Sequence, residues 1–210
     1  MNLTDWKSAI CSGGLFLMEI AMKIFKINMF KTDMKQDDNN YMAVNEILLY
    51  GAEHQELMQQ IGLNNLLCIY YMILHARKSI DICVPSLISD SLAKCLINVH
   101  QKNKVKIRIT IHKSDNFNNL QLFAQNGIEV KIIKPDVWLE HEFLLLDALD
   151  DYKDAVAVMG SLDYETNRVN CNRDTTVITS EKTVVTALKK EFIRVWNSVP
   201  DIVNLSLDLE

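Results

Sequence analysis

Between Ser79 and Ile133 the chain switches repeatedly between two hydrophobic periods, and this alternation restricts its fold more than any other feature. Ser79 to Val84 (SIDICV) is a short β-type run. Ser89 is a suitable N-cap for a helix that carries Leu92, Cys95, Leu96 and Val99 on one face. Lys104 to Ile111 (KVKIRITI) alternates with β-branched residues inward. Asn116 to Asn126 reads as a helix stopped by Gly127, and Ile128 to Ile133 as another strand. A helix precedes all of this, because Leu63, Leu66, Leu67, Tyr70, Tyr71 and Leu74 keep helical spacing up to Arg77. Such an order predicts an α/β layered sandwich, a mixed or parallel β-sheet flanked by helices, with functional groups at the strand ends.

Past Pro135 the pattern changes. Trp138 to Asp147 and Ala155 to Met159 are apolar enough for central strands, and Thr175 to Thr179 is a third. A terminal helix follows, with Ser180 as its cap, Glu181 in its first turn, and Val184, Val185, Leu188, Phe192, Val195 and Trp196 as its buried stripe. With 210 residues, 49% of them hydrophobic, the chain has material for one core. The expected organisation is an N-terminal helix and polar linker over 1–43, a folded domain over 44–200, and a tail over 201–210.

The linker expectation rests on Phe30 to Tyr41, which is polar and lacks an apolar period. Ahead of it, the apolar run Ala9 to Met18 ends at Glu19, about half of what a bilayer span needs. With Lys23, Lys26, Lys31 and Lys35 behind it, this run is either a membrane-surface anchor with a basic flank or a helix packed on the domain. A net charge of −5 means that any phosphate-binding surface must be local. The 5 cysteines are dispersed and never form CxxC, which argues against a zinc knuckle or a disulfide framework and for a reducing compartment.

Three segments stand out together: Leu139-Glu140-His141-Glu142-Phe143 running on to Asp147, Gly160-Ser161-Leu162-Asp163-Tyr164, and Asn172-Arg173-Asp174. Their order and spacing resemble the HxKxxxxD, GSxN and NxEN signatures of the phospholipase D superfamily. Asn45 to Leu49, Ala76 to Cys83, Val105 to Ile109 and Gly127 to Val130 resemble the corresponding stretches of its Zucchini/mitochondrial cardiolipin hydrolase branch. The resemblance covers about Val44 to Asn197 and implies one half-motif per chain, so that a two-half enzyme would form by dimerisation. In that family the motif His attacks phosphorus, while Lys, Ser and Asn stabilise the phosphoryl oxygens.

Here the substitutions matter more than the match. With Phe143 and Asp147 in register, Glu140 takes the His position and Glu142 the Lys position, while Asp163 replaces the Asn of GSxN and Asp174 with Thr175 replaces the Glu-Asn pair. Asp147, Ser161 and Asn172 match as they stand, so the family positions are Glu140, Glu142, Asp147, Ser161 and Asp163. On a strand, Glu140 and Glu142 share one face and His141 takes the other. A carboxylate set 4 Å from a phosphodiester is repelled by about 1 kcal/mol in water and about 4 at an effective dielectric near 20. Shifting the register with a bulge to bring in His141 would leave Phe143 where Lys is required.

Two functions follow from the resemblance. One is a catalytically impaired scaffold that acts as a dimerising binding or regulatory partner, in piRNA processing or at the mitochondrial surface. The other is a phosphodiesterase acting on cardiolipin or single-stranded RNA by altered chemistry, with a divalent metal between His112, Glu140 and Glu142 and a contribution from Asp163. No cofactor is expected under the first. The resemblance further implies a homodimer or a heterodimer with an active relative, a phosphodiester ligand (RNA or cardiolipin), peripheral membrane contact, and a mitochondrial outer membrane surface or cytoplasmic location. The zinc-binding insertion common in Zucchini-type proteins is missing, since Tyr50 to Gly62 contains no Cys. Lys102, Lys104, Lys106 and Arg108 form a local basic cluster, either a solvated edge or a nucleic-acid contact.

Overall fold

The computed structural model describes residues 43–49, 55–87, 89–112, 117–133, 139, 142–149, 154–160 and 175–198. The N-terminal run Ala9 to Met18, the linker and the tail lie outside these residues. The described elements run in the order β1 (Asn45–Leu49), α1 (Gln55–Leu74), β2 (Ser79–Val84), α2 (Asp90–Asn103), β3 (Lys106–Ile111), α3 (Phe117–Gln125), β4 (Glu129–Ile132), β5 (Phe143–Leu146), β6 (Val156–Gly160), β7 (Thr175–Thr179) and α4 (Lys182–Ser198). The strands form one 7-stranded sheet in the order β1-β7-β6-β5-β2-β3-β4. It is mixed, as expected: β2, β3 and β4 are parallel and joined by helical crossovers, and the remaining pairs are antiparallel.

Period two divides the core between the two faces of this sheet. Ile80, Ile82, Ile107, Ile109, Leu144 and Val158 point into one cluster, which Leu66, Ile73, Leu92, Leu96 and Phe123 of the first three helices complete. Cys83, Phe143, Leu145 and Ala157 point into the other, closed by Val185, Phe192, Val195 and Trp196 of α4. β2 and β5 therefore have both faces covered, and their sequences are accordingly near-continuous apolar runs.

Ser89 caps α2 as expected, its hydroxyl accepting the Leu92 N–H at 3.1 Å. Gly127 at φ 75 ends the α3 turn. Ser180 differs from expectation. Its hydroxyl accepts the N–H of Val44 at 2.8 Å, and its own N–H donates to the Val44 carbonyl at 2.9 Å, so it clasps the start of β1 rather than capping α4. β5 is also shorter than the expected Trp138 to Asp147, and the segment ahead of it lies largely outside the described residues.

Arg108 is the clearest correction. It does not belong to an exposed basic cluster. Its guanidinium holds both oxygens of the fully buried Asp81 at 2.8 Å each, and Lys189 of α4 donates to the same carboxylate. Arg108 also lies 4.9 Å from the Phe192 ring centroid and 5.5 Å from that of Trp196. Lys131 donates to the Trp196 carbonyl at 2.9 Å. A carboxylate in the middle of a buried strand requires cations to compensate its lost hydration, and α4 supplies one of them.

Candidate functional site

The sheet brings the start of β5, the end of β6 and the start of β7 to one end. β5 begins there and β6 finishes there, and their last contact is the Gly160 N–H donating to the Glu142 carbonyl at 3.2 Å. Gly160 pairs with Thr176 of β7, and the third segment ends at Asp174, directly before that strand starts. Strand ends separated along the chain thus become neighbours on β5, β6 and β7.

Gly160 is required for this approach. Its φ is 142°, and a Cβ placed on it would stand 2.0 Å from the Thr175 carbonyl oxygen and 2.9 Å from the Thr176 Cα. Both are backbone atoms and cannot rotate away, so only glycine lets β6 and β7 lie this close at the rim.

Glu142 is half-buried at this rim. His112 lies at the same end, immediately after β3, with its N–H donating to the Pro85 carbonyl at 3.0 Å. β2 runs between β3 and β5, so the two backbones stand about two strand spacings apart, roughly 10 Å. Among the described residues no group of three or more His, Cys, Asp or Glu is placed to hold a metal. Glu140, His141, Ser161, Asp163, Asn172 and Asp174 lie outside the described residues, so of the sequence-derived acidic pair only Glu142 is placed.

Asp147 stands at the opposite end of β5, one strand length or roughly 14 Å from the Glu142 rim. Its φ is 56°, and its carboxylate is wrapped by backbone. Oδ1 accepts the N–H groups of Arg77 at 2.9 Å, Lys78 at 2.6 Å and Ser79 at 3.2 Å, and Oδ2 accepts Arg77 again at 3.1 Å. The motif therefore spans the sheet. Glu142 sits at one rim, whereas Asp147 pins the turn between α1 and β2 at the other.

The family model described as "Cardiolipin synthase, PLD-like domain" matches residues 69–196, more than half of the chain. The chain belongs to this phospholipase D-like family. Its match to the human protein named mitochondrial cardiolipin hydrolase is 27% identical over 127 residues, covering 59% of this chain and 48% of that one. The Xenopus laevis protein of the same name is 27% identical over 128 residues, covering 59% and 57%. The chain thus spans about half the length of the curated relatives it matches. A crystal structure titled as a phospholipase D family member, Nuc from Salmonella typhimurium, superposes with a TM-score of 0.60 at 16% identity, covering 76% of this chain and 98% of that one. This likeness shows the phospholipase D fold, and the mixed sheet agrees with it.

Two features of this phospholipase D-like domain were not read from sequence. The Asp81–Arg108–Lys189 network had a signal: Asp81 lies between Ile80 and Ile82 in a strand with no exposed residue, so it needed partners. Lys189 falls four residues after Val185 and three before Phe192, within the buried stripe of α4. Asp147 had no signal beyond its place in the motif, since its donors are backbone groups.

Proposed function

We propose that this chain is a catalytically impaired phospholipase D-like protein, retained as a dimerising binding or regulatory partner. One observation carries the reading: glutamates occupy both the His and the Lys positions of the first motif segment, while the scaffold that would present them keeps the family's sheet. The rim that would receive a phosphodiester is lined by an acid where a cation is needed. Repulsion acts on the bound phosphate and on the more highly charged transition state alike. Gly160 and Asp147, which shape the rim and the turn behind it, are both in place, so the substitutions remove chemistry without removing the frame.

The proposed role places the protein at the mitochondrial surface or in piRNA processing, paired with a copy of itself or with a catalytically intact relative. The names of the matched relatives support the mitochondrial part. The acidic rim would face the basic rim of an active partner and favour the mixed pair by charge complementarity.

The test is hydrolysis of a generic phosphodiester, single-stranded RNA and cardiolipin by the purified chain, with and without Mg²⁺, Mn²⁺ or Zn²⁺. A Glu140→His, Glu142→Lys double variant is assayed beside it. The reading expects no turnover by the natural chain and measurable turnover by the double variant. Metal-dependent turnover by the natural chain that disappears in Glu140→Ala would overturn it and establish the phosphodiesterase with altered chemistry.

A further inference from the structure

The end of the sheet opposite the Glu142 rim, where Asp147 holds the turn before β2, has a different character from the rest of this acidic chain. There α1 and α2 both finish, tied by the Asn103 side-chain amide donating to the Leu74 carbonyl at 3.4 Å. The two loops that follow are joined by the Lys106 N–H donating to the Lys78 carbonyl at 3.0 Å. Arg77, Lys78, Lys102, Lys104 and Lys106 are all exposed on this joined surface. Between the helix ends lies an open cleft of about 340 Å³, lined by Leu74, His75, Ala76, Arg77 and Asn103.

We propose that this cleft and its cationic rim form a second site, at the other end of the sheet from the Glu142 rim, that holds the backbone of a single-stranded nucleic acid. Three observations converge on it. The first is the charge itself. The three helix C-termini at this end, those of α1, α2 and α3, would each be compensated by about one nearby cation, and this end presents five. The described carboxylates at the same end are Glu46, Glu129, Asp147, Asp154 and Glu181; Asp147 is enclosed by backbone donors, and Glu46 and Glu181 lie at the β1–β7 edge, at least three strands from β2.

The second is Lys104. It closes α2 in the left-handed conformation at φ 57°, its N–H on the His100 carbonyl. Glycine is the usual residue there because it has no Cβ to strain. A lysine at this position carries a backbone cost and leaves an exposed cation between Lys102 and Lys106, the type of local strain found at binding sites.

The third is His75, which selects the ligand class. Its exposed ring stacks on Tyr71, with centroids 4.0 Å apart and planes at 29°, and its Nδ1 is 2.8 Å from the Tyr71 carbonyl. The ring lines the cleft beside Arg77. Bases stack on such rings while their phosphates meet Lys and Arg, and a splayed single strand presents both groups together. A lipid headgroup offers phosphate with nothing to stack.

The test is fluorescence-anisotropy titration of the full chain with a labelled single-stranded RNA oligonucleotide across a salt series, beside anionic and neutral phospholipid vesicles. Engagement of four or five phosphates gives a slope of log affinity against log salt of about −3 to −3.5. Arg77→Glu with Lys104→Glu should lower affinity by a hundredfold or more, whereas reversing the exposed Lys94 and Lys190 should change it less than threefold. Lys104→Gly separates binding from folding: it relieves the left-handed strain, so the melting temperature stays or rises while the salt slope falls by about 0.7. Binding that survives the Arg77, Lys104 reversal overturns the proposal and sends the ligand to another surface. Binding to anionic vesicles without binding to RNA also overturns it. The generic phosphodiester and cardiolipin arms of the hydrolysis test do not depend on RNA binding here, so failure of this proposal and failure of the motif reading are distinguishable.

Discussion

Replacing Asp147 tests the division of the motif into a chemical end and a structural end. In Asp147→Ala three N–H donors lose their acceptor. Arg77 and Lys78 are exposed, so water takes over their N–H groups at little cost, but Ser79 is only 1% exposed and its donor stays dry. Losing a charge-assisted bond at a buried donor costs about 2 kcal/mol, and alanine in the left-handed conformation that aspartate tolerates adds about 1 kcal/mol. The expected loss is therefore about 3 kcal/mol, a large part of the 5–15 kcal/mol typical of a domain. In thermal terms it is a fall of roughly 6–12 °C. Asp147→Asn should cost less than half of this, because Oδ1 alone accepts three of the four bonds and an amide oxygen can take its place. Urea denaturation of the three proteins reads both values. An alanine variant within 0.5 kcal/mol of the natural chain, or an asparagine variant as weak as the alanine one, refutes the assignment.

Three further outcomes follow from the same geometry. Gly160→Ala sets a Cβ against the Thr175 carbonyl and should destabilise by about 3 kcal/mol or more, with hydrogen exchange accelerated at β6 and β7 before the rest of the sheet. Asp81→Ala strands Arg108 and Lys189 beneath α4 and should cost about 3–5 kcal/mol, whereas Lys189→Met leaves the Asp81–Arg108 fork intact and should cost about 2 kcal/mol. Denaturation curves giving the reverse order would show that Lys189, not Arg108, is the principal partner. Burial pushes the thiols of Cys68 and Cys83 up to about 11 and that of Cys95 to about 12. Their unfolded counterparts ionise near 8.5–9, so this stability is complete below that pH and is lost as pH rises towards 11. Alkylation of Cys68 and Cys83 at pH 8 should wait for unfolding, whereas the half-buried Cys95 should react ahead of them.

Much of the frame was legible because local signals and burial agreed. Ser79–Val84 and Thr175–Thr179 fall where their composition placed them, and the Ser89 cap and the Gly127 stop act as such side chains and backbones usually do. The misreadings share a physical origin in long-range partners. Ser180 had the composition of a helix cap, but Val44, 136 residues away, takes its hydroxyl. Arg108 lay among lysines in sequence, yet it sits opposite Asp81 in the β2–β3 register and turns inward. The motif was legible as a list of residues, but its two ends could not be assigned separate parts until β5 was seen to separate them.

The clasp between Ser180 and Val44 sets an order of assembly. β1 leaves the ribosome before any other described element, and among the described strands its one neighbour in the sheet is β7, the last of them to be made. At 5–20 residues per second, on the order of ten seconds pass between the two. Throughout that interval β1 must wait with its backbone unpaired and Ile47, 64% exposed even after pairing, in solvent. The nascent chain can close the parallel half of its sheet early, from contacts near in sequence, while the antiparallel edge forms only after translation has nearly passed the domain. Chaperone contact during synthesis is therefore expected to concentrate on Asn45–Leu49.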